Sequence, residues 1–153
     1  MKLDATDKQI LKFLQEDAKM TTKELAYRLG LTPTPIFERI KRLEKSGLIA
    51  KYVVILDKKI AGKNLTAFCT VSLKEHAREY IKEFAAEISK LPEVLECYHI
   101  AGMFDFMIKV VVEDMDMYHH FVYNKLASID YIGNVRSSFV MSEIKNSTAL
   151  SFE

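Results

Sequence analysis

The chain has 153 residues, 49% of them hydrophobic and 28% charged, with a net charge of +1 and two cysteines. That length suits one domain or two compact ones around a real core, and two cysteines are too few for a disulfide scaffold. No stretch is long and apolar enough to span a bilayer, and Asp4 and Asp7 stand where a secretion signal needs an apolar run, so no membrane association and a cytoplasmic protein are expected. Cys69 and Cys97 lie in apolar runs and read as buried small hydrophobes. The net charge hides an asymmetry. Residues 1–63 carry 14 Lys+Arg against 8 Asp+Glu, a balance of +6, whereas residues 64–153 carry 8 against 13, a balance of −5. A basic half joined to an acidic half suggests that only the first faces a polyanion.

The first third reads as three short helices. Asp4 caps a helix to about Glu16, with Ile10, Leu11 and Leu14 on one face. Thr21 followed by Glu24 is a capping box, in which each side chain satisfies the other's free backbone N–H. The second helix stops at Gly30, which tolerates the left-handed conformation a helix end needs. Thr32 caps a third helix with Pro33 at its first position, where a missing N–H costs nothing, and Gly47 ends it. Two helices joined by a tight Gly-Leu-Thr turn form a helix-turn-helix, with Leu25, Leu29, Leu31, Ile36 and Ile40 placed to pack together. A generic helical hairpin is the alternative.

On the third helix Ile36, Ile40 and Leu43 point inward, while Thr34, Glu38, Lys41, Arg42 and Lys45 cluster opposite. In helix-turn-helix proteins the start of the second helix reaches base edges, and flanking groups hold phosphates. Thr34, Pro35 and Glu38 are therefore candidates for reading bases, and Thr32, Arg39, Lys41 and Arg42 for gripping the backbone of double-stranded DNA. Residues 48–56 are apolar and β-prone, as suits a wing or connecting strand, and residues 61–64 look like a hinge. This divides the chain into a DNA-binding domain, 1–60, and a second domain, 61–153.

The second half alternates patterns. Strands are expected at 65–73, 94–100, 106–112 and 134–144, and helices at 78–90 and 115–128, with Pro92 closing the first helix. The order strand, helix, strand, strand, helix, strand predicts a ferredoxin-like βαββαβ layer, making the whole an α+β protein.

An ordered set of residues across both halves resembles the leucine-responsive and asparagine regulators, the Lrp/AsnC family. It runs through Leu3-Asp4, Asp7, Ile10-Leu11, Glu24-Leu25-Ala26, Gly30-Leu31-Thr32-Pro33-Thr34-Pro35, Arg39-Ile40-Lys41-Arg42-Leu43-Glu44, Gly47-Leu48-Ile49, Tyr52 and Leu56-Asp57. It resumes at Pro92-Glu93-Val94, Cys97-Tyr98, Gly102, Asp105, Ser138-Phe139-Val140 and Lys145. The resemblance implies a winged helix-turn-helix regulator of amino-acid metabolism, a homodimer assembled further into tetramers or octamers, with an amino-acid effector bound between subunits and no other cofactor. It implies that Gly102, Met103, Phe104 and Asp105 form the effector loop, with backbone N–H groups for a carboxylate and Asp105 for an ammonium, and with Tyr98, Ser137 and Ser138 as neighbours. Gly and Asp are also common in a simple hairpin turn, which is the alternative.

Three positions depart from the family pattern. Lys51 replaces a Gly before the Tyr, Lys58 replaces a Pro after the Asp, and Phe106 replaces a Tyr, removing a hydroxyl near the expected pocket. Catalysis is not expected: His119-His120 diverge on a helix, His76 and His99 are isolated, and no phosphate-binding, dinucleotide or nucleophile motif is present. An architectural, DNA-compacting protein with little effector response is the main rival, since phosphate contacts alone give sequence-independent binding. A metabolite-binding oligomer whose helix-turn-helix contacts protein is a third reading.

Overall fold

The computed structural model describes residues 2–75 and 77–152, so His76 lies outside the described residues. They form two compact units: residues up to Ile55 together with those from Lys145 onward, and Leu56–Ile144. By contacts the first unit thus ends at Ile55, against the expected boundary at 60/61, and takes in the C-terminal tail.

In the first unit α1 spans Ala5–Glu16, α2 Thr22–Leu29 and α3 Pro33–Lys45. Two of the three predicted side-chain caps are present, those of Asp4 and Thr21. The Asp7 amide donates to Asp4 Oδ1 at 2.8 Å while the Asp4 amide donates to Asp7 Oδ2 at 3.2 Å. The Glu24 amide donates to Thr21 Oγ1 at 3.2 Å, with the Thr21 amide returning to Glu24 Oε2 at 2.6 Å. Gly30 closes α2 at φ 65°, a left-handed conformation that costs glycine little. Ile10, Leu11, Leu25, Ala26, Ile36 and Leu43 form the core, with Leu29 and Ile40 partly buried against it. Leu31, expected at the packing seam, is exposed instead, because it falls in the turn and outside the helical stripe. Phe152 of the tail packs on this core, and the Gln15 amide clasps both backbone groups of Leu150, at 2.7 and 3.1 Å.

The expected strand at 48–56 does not form. Among the described residues its backbone groups beyond Ile49 have no ladder partner, and Val53, Val54, Ile55 and Leu56 are exposed. An extended run becomes a strand only when another lies beside it, and the single chain supplies none.

In the second unit β1 spans Leu65–Leu73, α4 Arg78–Ile88, β2 Val94–His99, β3 Phe106–Val112, α5 Met115–His120 and β4 Ile132–Phe139. The strands form one antiparallel sheet in the order β2-β3-β1-β4. This is the predicted ferredoxin-like arrangement. The helices cover one face, where Ala67, Cys69, Val71, Ile108 and Val110 meet Phe84, Ile88, Tyr118, Phe121 and Leu126. The expected helix at 115–128 continues past His120 as a π-helical turn over Phe121–Leu126, with the Ala127 amide reaching Val122 O at 2.9 Å. β4 stops short of residue 144, because its partner β1 begins at Leu65 and the last bond is Val140 N to Thr66 O, 2.9 Å.

Candidate functional site

The exposed face of α3 is set by how its other faces are held. Asp7 is 1% exposed, and two guanidiniums meet its carboxyl group. Arg39 Nη1 lies 2.8 Å from Asp7 Oδ1 and 2.6 Å from Asp4 Oδ2, and Arg42 Nη2 lies 2.6 Å from Asp7 Oδ2. A buried carboxylate is tolerated only when paired in this way. The same contacts hold the Arg39 guanidinium above its ordinary range, through Asp4 first and then Asp7, and the Asp4 carboxyl below its own, through the Asp7 amide first and then Arg39. Arg39 and Arg42, expected at the DNA backbone, are therefore spent largely on locking α3 to α1, although half of the Arg42 side chain remains in solvent.

Thr34, Glu38, Lys41 and Lys45 stay on the exposed face, and Pro35 is half-buried. Lys41 Nζ pairs with Glu44 at 2.9 Å, and Lys45 has no acidic partner among the described residues. The Thr32 side chain makes no capping bond. Because Pro33 and Pro35 have no N–H, only the Thr32 and Thr34 amides and the two hydroxyls remain at the helix start to meet an anion. One exposed residue escaped the sequence reading: Phe37, 51% exposed, with the Lys41 ammonium 5.7 Å from its ring centroid. Its helical phase beside Thr34 and Lys41 was the signal that could have found it.

In the second unit the loop between β2 and β3 carries the expected effector group. Gly102 has φ 142°, a conformation reserved for glycine. The Ile100 amide donates to Asp105 O at 2.8 Å and the Asp105 amide to Val71 O at 2.9 Å, pinning both ends of the loop. Between them the amides of Ala101, Gly102, Met103 and Phe104 make no hydrogen bond to any described residue. Met103 is exposed, and the Arg136 guanidinium of β4 lies 5.5 Å from the Phe104 ring. Asp105 is buried, and its Oδ2 accepts from the Leu73 amide at 2.8 Å. That oxygen fastens the loop to the end of β1.

The remaining candidates do not converge within one chain. The pairings Phe68↔Ser138 and Cys69↔Ser137 put Ser138 on the open face of the sheet and Ser137 on the helix-covered face. Ser137 accepts from the Tyr118 hydroxyl at 2.5 Å, and Cys69 Sγ lies 3.0 Å from the same oxygen. Burial raises both the Tyr118 phenol and the Cys69 thiol above their ordinary values, so neither ionises readily. Tyr98 lies on the open face and donates to Glu96 Oε2 at 3.0 Å. β2 and β4 are the two edges of the sheet, three strand spacings or roughly 14 Å apart. One small molecule therefore cannot touch Tyr98 and Ser138 of the same chain.

Two of the departures are also resolved. Phe106 is buried against Phe84 and His99 on the helix side, so the missing hydroxyl is absent from the core and not from the loop. Lys58 Nζ pairs with Glu143 at 2.5 Å within the second unit. No helix among the described residues is long and apolar enough to cross a membrane.

A locked recognition helix and a separate sheet-borne loop with open amides define a two-part DNA-binding transcription regulator. Comparison with known proteins agrees over both parts: residues 3–50 match the winged helix-turn-helix DNA-binding pattern, and residues 66–150 match the Lrp/AsnC ligand binding domain. The chain belongs to the Lrp/AsnC family of transcription regulators. It is 38% identical over 148 residues to the transcriptional regulator AzlB of Bacillus subtilis, covering 97% of this chain and 94% of that one. It is 35% identical to the leucine-responsive regulatory protein of Salmonella typhimurium, covering 97% and 90%. Among solved structures, the transcriptional regulator NMB0573 of Neisseria meningitidis in complex with L-Met superposes with a TM-score of 0.93 at 38% identity, covering 97% and 96%. Both curated relatives are regulators, the class to which this chain belongs.

Proposed function

We propose that this regulator binds a specific operator through α3 and that a small amino acid, held at the 101–105 loop, changes its assembly or its grip on DNA. The observation that carries the first part is the solvent-facing stripe of Thr34, Glu38, Lys41 and Lys45 on a helix whose other side is fastened by Asp7. Thr34, Pro35 and Glu38 read base edges, while Thr32, Lys41, Lys45 and the exposed half of Arg42 hold phosphates. Arg39 acts behind them by holding the helix in place.

The effector part rests on the four open amides of residues 101–104, which suit a carboxylate, and on the similarity to a protein solved with L-Met. Asp105 contributes by fixing the loop to the end of β1, and its carboxylate complements the charge of an ammonium. Tyr98 and Ser138 join the site from different subunits of a homo-oligomer. A dimer or larger assembly is supported by the exposed apolar residues at 53–56 and by Phe68 and Tyr98 on the open sheet face. A protein that reads chromosomal DNA in this way works in the cytoplasm.

A gel-shift titration tests this, using the protein's own upstream region against random competitor, with and without a panel of amino acids. Strong preference that moves with one amino acid is the expected result. Equal affinity for random DNA with no response would instead mark an architectural protein.

A further inference from the structure

α3 carries one group that phosphate binding does not call for, an aromatic ring in water. Phe37 is 51% exposed and sits three residues after Thr34 and four before Lys41, on the flank of the same solvent-facing stripe. Ile36 and Ile40, on the opposite face of α3, turn into the core, so the helix cannot rotate to bury Phe37 without exposing them. The Lys41 ammonium lies 5.7 Å from the ring centroid, which keeps apolar and cationic groups side by side. The occupant of such a face must be anionic and yet offer an apolar spot. The DNA major groove offers one: beside its hydrogen-bond donors and acceptors stands the 5-methyl group of thymine, which takes apolar contact.

We propose that Phe37 is a specificity residue that reads thymine through its methyl group, so that operator positions beneath the middle of α3 are thymines and not merely A·T pairs. This rests on the proposed entry of α3 into the major groove. Removing one buried methyl should weaken binding about fourfold, the effect of about 0.8 kcal/mol.

The test uses the full-length protein and a site selected by it from a randomised duplex pool. Each thymine is replaced singly by deoxyuridine, which removes only the methyl group. The wild type should lose about fourfold at one or two positions, with no effect elsewhere. Phe37→Ala should bind the thymine and uracil versions equally, and Phe37→Leu should keep part of the preference, both melting like the wild type because the ring is on the surface. Indifference of the wild type to uracil at every position would overturn the proposal, as would a thymine preference that survives Phe37→Ala. If Thr34→Ala and Glu38→Ala still change the selected sequence in that event, α3 reads the groove and only the role of Phe37 falls. If no α3 variant changes it, the groove reading falls as well.

Discussion

Asp7 does three jobs with one carboxylate. It completes the α1 cap, and it takes both Arg39 and Arg42 from α3. Replacing it by Ala leaves two guanidiniums without their buried partner and opens the cap, which should lower stability in urea by about 2–4 kcal/mol and weaken DNA binding through a loosened helix. Lys45 is different, since its charge is uncommitted among the described residues. Lys45→Ala should leave the melting temperature unchanged and lower the salt slope of DNA binding by about one phosphate contact, without altering sequence preference. The acidic groups of this unit also set its pH response. Asp4 is held low by the Asp7 amide and Arg39, Glu24 by the amide and hydroxyl of Thr21, and Glu44 by Lys41 and Tyr52. A depressed folded-state value means the stabilisation is complete above the unfolded value and lost as pH falls through the folded one. Stability against urea should therefore be flat near neutrality and fall progressively below about pH 4.

At the scale of elements, the β2–β3 loop is fastened at its ends and open in its middle. Gly102 at φ 142° permits the turn that leaves the four amides free. Nothing crowds the space where a side chain would go, so the obstacle to substitution is backbone conformation alone. Gly102→Ala should cost about 1–3 kcal/mol and abolish the amino-acid response while leaving effector-free DNA binding intact, as read in paired gel shifts. A loss of DNA binding without effector would mean that the loop serves folding and not sensing. β4 makes a different point, because its alternation separates Ser137 from Ser138. Adjacent residues in a strand face opposite ways, and a run of two serines therefore cannot serve one site.

For the whole molecule, the unpaired run at 50–56 is the feature a single chain leaves unresolved. Its exposed Val53, Val54, Ile55 and Leu56 combine open backbone groups with apolar side chains, a combination that invites another strand. On the proposed assembly, Val54→Glu should shift the sedimentation profile towards smaller species and weaken binding to paired half-sites more than to a single one. An unchanged profile would place the interface elsewhere, with the open sheet face as the remaining candidate.

The sequence by itself determined most of the elements and the caps at Asp4 and Thr21. Periodicity, Asp4, Thr21-Glu24, Gly30 and Pro33 act within one or two turns of chain, so they are legible without a fold. The ferredoxin-like order was equally readable, since β1 and β3 carry their own alternation. Only the tertiary structure decided what depended on distant partners. It bound Arg39 and Arg42 to α1, returned the C-terminal tail to the first unit, left residues 50–56 without a strand partner and turned Asp105 towards Leu73. A charge on a helix surface looks free until the residue 35 positions away that neutralises it is seen, as with Arg42 and Asp7. Local hydrogen bonding follows from neighbouring residues, whereas commitment of a side chain follows from where the rest of the chain comes to lie.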